Sequence, residues 1–188
     1  MLKINFLVSE KIVIFTFINQ CSLNMNNLEK MQHIVETEMS QHGIVVKRWS
    51  KSSCGSAYHG TTEIKIPKPV DFDTLGVCFH EIGHVVLGHL EKNDKTRYVE
   101  EYEAEQFAIQ KLKDCGFYNK QYEYRAMAYV LSKIAQARNR GHNMKKVPKE
   151  IVKWAGLQVN KWNKAKKVFV SLRDYKRKGD IKIYFSNS

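Results

Sequence analysis

The sequence predicts an α+β fold: a short antiparallel or mixed sheet, then a long apolar helix, then a mostly helical C-terminal part. Two β-rich stretches, residues 44–49 and 58–66, are separated by a Ser/Gly turn cluster and closed by Pro67. A helix-like apolar run follows over residues 75–90. After Gly116 the chain is aromatic with helical spacing. These patterns predict a small domain in which strands precede helices.

The chain is expected to have three parts. Residues 1–24 form an N-terminal extension whose apolar run is too short to span a membrane, so no membrane association is expected. Residues 25–140 form the main domain, and an amphipathic helix opens it and ends at Gly43. Residues 141–188 form a basic, helical C-terminal segment.

Residues 80–84 form a His-Glu-x-x-His motif inside the apolar helical run. His80 and His84 would lie on one face of a helix, about 6 Å apart along its axis, so both imidazoles could bind one Zn²⁺. Glu81 would then face the open coordination position and could take a proton from the bound water. Solvated histidines on an ordinary helix are the simpler alternative. The apolar surroundings argue against it, because buried ionisable groups are costly unless they pair or bind a metal.

An acidic second helix, predicted to follow, offers a third metal ligand. Glu103 lies four residues from both Val99 and Phe107, on the face that these apolar residues define. Two histidines and one glutamate form a known catalytic ligand set that leaves the fourth position for water. Glu103 is therefore the preferred third ligand. A solvated acidic face is the ordinary explanation for such glutamates, and it is expected for Glu105 and Glu100. The alternative third ligands are Glu100 and Glu101.

Two motifs resemble those of the ImmA/IrrE family of zinc metallopeptidases. Residues 80–89 read His-Glu-Ile-Gly-His-Val-Val-Leu-Gly-His, and residues 101–108 read Glu-Tyr-Glu-Ala-Glu-Gln-Phe-Ala. Family members carry His-Glu-x-Gly-His-x-x-Leu-x-His followed by Glu-x-Glu-Ala-x-x-Phe-Ala. The resemblance covers roughly residues 43–116.

This resemblance implies a zincin-like metallopeptidase domain. It implies Zn²⁺ bound by His80, His84 and Glu103, with Glu81 as the general base. It also implies a protein substrate, a helix-turn-helix transcriptional repressor. In zincins an edge strand beside the metal-binding helix holds an extended substrate by main-chain pairing, and the region of Ile64 is expected to form that strand.

The composition fits a small enzyme of a reducing compartment. A chain of 188 residues with 43% hydrophobic residues can bury one core. Its four cysteines are scattered without a Cys-x-x-Cys pair, which predicts reduced thiols in a cytoplasmic protein. They are Cys21, Cys54, Cys78 and Cys115.

The positive charge is concentrated at the C-terminal end. Residues 141–188 hold 13 Lys/Arg and 3 Asp/Glu, a net charge of +10, whereas the remainder holds 18 and 16, a net charge of +2. Such a segment attracts nucleic acid or acidic partners, or simply keeps the chain soluble. Two short helical patterns, residues 148–154 and 158–165, could form a helix-turn-helix-like unit.

Two other functions remain open. One is a nucleic-acid- or repressor-binding module whose zinc site is structural or vestigial; such a site would not need Glu81. The other is an SprT-like DNA-linked protease, which would use a third histidine. His89 is a poor candidate for that ligand because it lies off the face that carries His84. The sequence does not choose an oxyanion-stabilising group among Tyr98, Tyr102, Tyr129 and His142.

Overall fold

The computed structural model describes residues 26–173 and 180–186, and these adopt the predicted α+β fold. The predicted extension, residues 1–24, lies outside this part of the chain. The helices are α1 Asn27–Gln41, α2 Phe72–Val86, α3 Arg97–Asp114, α4 Lys120–Asn139, α5 Lys149–Trp154 and α6 Val159–Lys164, with a 3₁₀ turn at Met144–Lys146. The strands are β1 Val45–Ser50, β2 Ser56–Ala57, β3 Glu63–Pro67, β4 Lys167–Ser171 and β5 Lys182–Ser186. Among the helices of residues 26–173 and 180–186, none has the length and apolar character needed to span a membrane.

Helix α1 is the amphipathic helix predicted before Gly43. Asn26 caps it, because its side chain accepts the backbone N–H of Glu29 while the Glu29 carboxylate accepts the N–H of Asn26. Met31 and Val35 are buried against the main core. Gly43 ends the turn after the helix with a φ of 61°, a conformation that favours glycine.

The first sheet has the order β1-β3-β2, with β1 parallel and β2 antiparallel to β3. Ile64 and Ile66 of β3 are fully buried and hold the sheet against the helices. The expectation that the Ile64 region forms the edge strand beside the metal helix is wrong. β3 is the central strand and has partners on both sides, so the short strand β2 takes the edge position.

Helix α2 carries the His-Glu-x-x-His motif through the middle of the core. It begins at a capping box: Thr74 donates its N–H to the side chain of Asp71, and the Asp71 N–H donates to the Thr74 hydroxyl. It ends at Val86, earlier than the apolar run of residues 75–90, and Gly88 turns the chain with a φ of 68°. Because residues 74–84 are all buried, every ionisable side chain among them needs a partner inside the protein.

The C-terminal segment is less helical than predicted. Its two predicted helices are the six-residue helices α5 and α6, and they are followed by an antiparallel pair of strands, β4 and β5, that the helical expectation missed. Asn139 of α4 exchanges hydrogen bonds with the main chain of Val168, and Arg138 donates to the carbonyls of Trp162, Ala165 and Lys166. A second core of α4, α6 and β4 therefore joins this segment to the main domain.

Trp162 is the largest fully buried side chain of that second core, so it is a packing residue. Trp154 packs against both cores and lies edge-on to Tyr102, with ring centroids 5.2 Å apart. The buried indole of Trp162 is therefore not available as a stacking platform for a base.

Candidate metal centre

Two packed helices, α2 and α3, bring His80, His84 and Glu101 to one point. The Nε2 atoms of the two histidines are 3.1 Å apart. Glu101 Oε2 lies 3.1 Å from His80 Nε2 and 3.5 Å from His84 Nε2. Across residues 26–173 and 180–186, this is the one cluster of three or more His, Cys, Asp or Glu residues whose ligand atoms could hold a metal ion. All three residues are buried.

The structure places Glu101, not the predicted Glu103, beside the histidines. The two positions are about 200° apart around the helix, because each residue advances the helix by about 100°. Glu103 is instead partly exposed, and its Oε2 is 2.7 Å from Lys95 Nζ and 2.8 Å from His89 Nε2. The third ligand of the predicted set is therefore corrected to Glu101, which was one of the two alternatives.

The prediction placed Glu103 on the core face of α3 because Glu103 shares a face with Val99 and Phe107. Both of these residues are only partly buried. Glu101 shares one face of α3 with Ala104 and Ala108, three and seven residues further on, and both alanines are fully buried. Ala104 with Ala108 was the sequence signal that could have identified Glu101.

The geometry fits a zinc ion. Ligand atoms about 2.1 Å from a tetrahedral metal are themselves about 3.4 Å apart. The three separations in the cluster, 3.1, 3.1 and 3.5 Å, are close to that value. Moreover, Glu101 Oε2 is buried and accepts no hydrogen bond within the described chain, although it faces both imidazoles. A buried carboxylate oxygen in that position needs a positively charged partner, and either a metal ion or a protonated His80 can supply it.

His80 is oriented from behind by Glu105. Glu105 Oε1 lies 3.3 Å from His80 Nδ1, and its other oxygen accepts a 2.9 Å hydrogen bond from the Tyr122 hydroxyl. The expectation that Glu105 and Glu100 belong to a solvated face is wrong, since they are 1% and 8% exposed. Burial opposes the charged imidazole, but the carboxylates of Glu105 and Glu101 outweigh it and raise the pKa of His80 to about 10. Metal binding must therefore displace a proton from His80.

His84 is oriented through a different chain of contacts. Its Nδ1 lies 3.0 Å from His89 Nδ1, and His89 Nε2 lies 2.8 Å from Glu103 Oε2. If His89 donates Nε2–H to Glu103, its Nδ1 can accept the Nδ1–H of His84, which leaves the His84 Nε2 lone pair for a metal. Burial lowers the pKa of His84, which favours this neutral form. Glu103 thus lies behind His84 and not among the three residues that could hold a metal ion.

Two cations neutralise Glu101 from the other side. Arg97 Nε lies 2.8 Å from Glu101 Oε1, and Lys133 Nζ lies 3.5 Å from the same oxygen. Burial alone would raise the pKa of Glu101, but His80, His84 and Arg97 hold it well below its usual range. The carboxylate is therefore ionised and ready to bind a metal at neutral pH.

Glu81 lies next to the cluster without belonging to it. It is 7% exposed and lines the same cavity as His80 and His84. Burial raises the pKa of Glu81 to about 7; the charge of His80 opposes the rise and that of Glu101 adds to it. A carboxyl with a pKa near 7 can both accept and donate a proton at neutral pH, which is the property of a general acid–base group.

A cavity of about 490 Å³ opens above these side chains. Gly55 and the edge strand β2 line one part of the cavity. Arg97, Tyr129 and His59 also line it. Of the four oxyanion candidates, only Tyr129 lines this cavity; its ring centroid is 5.8 Å from that of His80. Tyr98 and His142 hydrogen bond to each other at 2.7 Å, away from the cavity.

Comparison with protein-family models, with curated proteins and with solved structures finds no match for this chain. Function must therefore be inferred from the residues and geometry of the site itself.

Proposed function

We propose that this chain is a zinc-dependent endopeptidase. The observation that carries the proposal is the convergence of His80, His84 and Glu101, with Glu81 beside them in an open cavity. Three protein ligands leave a fourth position for water, as in catalytic zinc sites, whereas structural sites are closed by four. A structural or vestigial site also has no use for a buried carboxyl at the position of Glu81.

His80, His84 and Glu101 would hold Zn²⁺, which when bound supplies Lewis acidity and lowers the pKa of a water. Glu81 accepts a proton from the attacking water and then donates it to the leaving amine nitrogen. Tyr129 lines the same cavity, and its hydroxyl would donate a hydrogen bond to the developing oxyanion. Burial and the carboxylates of Glu101 and Glu105 raise the pKa of Tyr129, so it stays protonated and able to donate.

The substrate would bind as an extended peptide along β2. This strand is the edge of its sheet and contributes Ser56 and Ala57 to the cavity wall. An edge strand offers unpaired main-chain groups, so a peptide can pair with it and present its scissile bond to the site. The pairing is independent of side chains and suits a protein substrate.

The motif resemblance to the ImmA/IrrE family supports a helix-turn-helix repressor as that substrate. A cytoplasmic location is part of the proposal. Cys54, Cys78 and Cys115 are free thiols, as expected in a reducing compartment, while Cys21 lies outside the described residues. Cys78 is fully buried and donates its S–H to the Pro67 carbonyl, so it acts as a small core residue and not as a ligand.

The decisive experiment pairs the purified chain with a repressor encoded beside its gene. Zinc-loaded wild-type protein should cut the repressor at a defined bond, and Glu81→Gln should keep zinc and fold but not cut. Glu81→Gln is the sharpest control because it removes proton transfer and little else. Cleavage that survives Glu81→Gln, or wild-type protein that binds no zinc, would refute the proposal.

A further inference from the structure

The outward face of α6 carries only amide and amine side chains. Trp162 is fully buried and defines the inward side of the helix. Successive residues advance about 100° around a helix, so four exposed residues form the side opposite Trp162. They are Asn160, Lys161, Asn163 and Lys164. At one edge of this face, Lys161 Nζ lies 4.6 Å from the ring centroid of Phe185. The face therefore presents hydrogen-bonding groups and positive charge to solvent, without an acidic or large apolar side chain.

Both ends of α6 are anchored to the rest of the chain. Gly156 turns the chain between α5 and α6 with a φ of 63°, and Leu157 donates its N–H to the Val152 carbonyl, which ends α5. At the other end, Arg138 of α4 donates to the carbonyl of Trp162. A basic segment that only keeps a chain soluble needs no such anchoring. The amines of α6 therefore stand on an ordered surface.

The lysines of this surface have no acidic partners. The 3₁₀ turn Met144–Lys146 packs beside α6 and adds two exposed lysines, Lys145 and Lys146. Within residues 26–173 and 180–186, neither these two nor Lys164 has a carboxylate partner. Four lysines of the main domain, by contrast, each lie within 3.5 Å of a glutamate oxygen: Lys47, Lys95, Lys111 and Lys133. The charge beside α6 is thus left for a partner outside the chain.

We infer that this surface, the outward face of α6 with Lys145 and Lys146, binds duplex DNA. The amines would contact phosphates while α6 lies in the major groove, where Asn160 and Asn163 can hydrogen bond to base edges. The major groove of B-form DNA, about 12 Å wide, admits a helix, whereas the deep and narrow groove of an RNA duplex does not. An acidic protein would pair with the lysines but would give the two asparagines no role. None of these residues lines the cavity, so the inference does not depend on the proposed peptidase activity.

The test uses the full chain and a fluorescein-labelled DNA duplex of about 20 base pairs, two turns of the double helix, followed by anisotropy. Binding should weaken steeply between about 50 and about 200 mM salt because phosphate counterions are released. The triple variant Lys145→Gln, Lys146→Gln and Lys164→Gln should bind at least about tenfold more weakly at low salt. Its salt dependence, the slope of log K against log salt, should be shallower by roughly 2 to 3. The triple variant Lys145→Arg, Lys146→Arg and Lys164→Arg should keep both properties, because arginine keeps the charge.

A matched control removes the same amount of charge elsewhere. Lys51, Lys68 and Lys92 are exposed lysines of the main domain. The triple variant Lys51→Gln, Lys68→Gln and Lys92→Gln should bind the duplex nearly as the wild type does. This control separates a defined surface from a general effect of net charge.

Three results would overturn the inference. They are no binding by the wild type at low salt, an equal loss in the two glutamine triple variants, and binding of an RNA duplex or a labelled polyglutamate peptide as tight as that of the DNA duplex. Melting curves of all variants check that the fold is intact. If the first triple variant is destabilised, Lys164→Gln alone is measured, and its salt dependence should be shallower by about 1.

Discussion

Gly55 lies directly against the side chain of Glu81. A Cβ added at Gly55 would be 2.7 Å from Glu81 Oε1 and 2.8 Å from its carboxyl carbon, distances that real contacts do not allow. Gly55→Ala should therefore push the buried carboxyl out of position while leaving His80 and His84 in place. We expect peptidase activity to fall about a hundredfold with zinc retained, because a displacement of about 1 Å costs that much.

Steady-state cleavage rates and zinc content, measured on the same preparation, check this prediction. Ser53→Ala is the control, since Ser53 is exposed in the same loop and should leave both quantities unchanged. Unchanged activity in Gly55→Ala would show that the carboxyl of Glu81 does not need its observed position. Loss of zinc in that variant would assign Glu81 to metal binding.

Glu101 should be the glutamate whose loss releases zinc. Glu101→Gln removes the charged oxygen that faces both imidazoles. Zinc affinity should therefore fall by more than roughly 10- to 100-fold, the loss expected for a residue that only hydrogen bonds to a ligand. Glu100→Gln is the matched control: it is the adjacent buried glutamate and also pairs with Arg97, yet it does not face the histidines. Competition with a zinc-binding dye gives the affinities. Equal losses in the two variants would contradict the ligand set.

The sequence predicted the fold class, the strand region, the metal helix and two of the three converging residues. These follow from local rules: capping at Asp71, apolar periodicity, and the four-residue spacing of His80 and His84. The choice between Glu101 and Glu103 depends instead on which face of α3 meets α2. That is a question of tertiary packing, and a difference of two residues moves a side chain to the other side of the helix.

The antiparallel pair of β4 and β5 illustrates the same limit. The strand residues of β4 alternate, with Val168 buried and Phe169 exposed, but five residues between charged stretches give a weak signal. Pairing with β5 and packing on α4 decide the conformation, and both partners are remote in sequence. Tertiary context therefore outweighs local preference there.

His89 and Glu103 should act on zinc as one unit. His89→Gln or Glu103→Gln should each weaken zinc binding about 10- to 100-fold, because His84 loses the partner that fixes its tautomer. The double variant should bind zinc no more weakly than the weaker-binding single variant, because either change breaks the same series of hydrogen bonds. Zinc titrations of the four proteins give the coupling directly.

Lys95→Met tests whether the series of hydrogen bonds from His84 through His89 to Glu103 extends to Lys95. Lys95 is 43% exposed, so its pair with Glu103 should matter little and zinc affinity should change by less than about fivefold. Strictly additive losses in the double variant would mean that His89 and Glu103 act separately. Melting temperatures of the metal-free proteins distinguish a loss of orientation from a loss of fold.

The metal-free protein should become less stable, relative to Glu81→Gln, as pH rises from about 4.5 to about 7. Burial raises the folded-state pKa of Glu81 to about 7 from 4.5, so between these values the folded state binds a proton that the unfolded state has released. Stability from this group is complete below about pH 4.5 and declines until about pH 7. The full shift corresponds to about 3 kcal/mol, and glutamine escapes the loss because it does not ionise.

Urea unfolding of both proteins in chelator, at about pH 5, 6, 7 and 8, measures this difference. The stability advantage of Glu81→Gln over the wild type should grow from pH 5 and level off above pH 7.

Glu105→Gln is a control that should change stability in the opposite direction. Burial alone would raise the Glu105 pKa, but His80 and Arg125 lower it, so its charge stabilises the fold above its unfolded pKa. Glu105→Gln should therefore be less stable than the wild type across the range. If Glu81→Gln differs from the wild type by the same amount at every pH, Glu81 does not titrate near neutrality, and its assignment as the proton carrier loses this support.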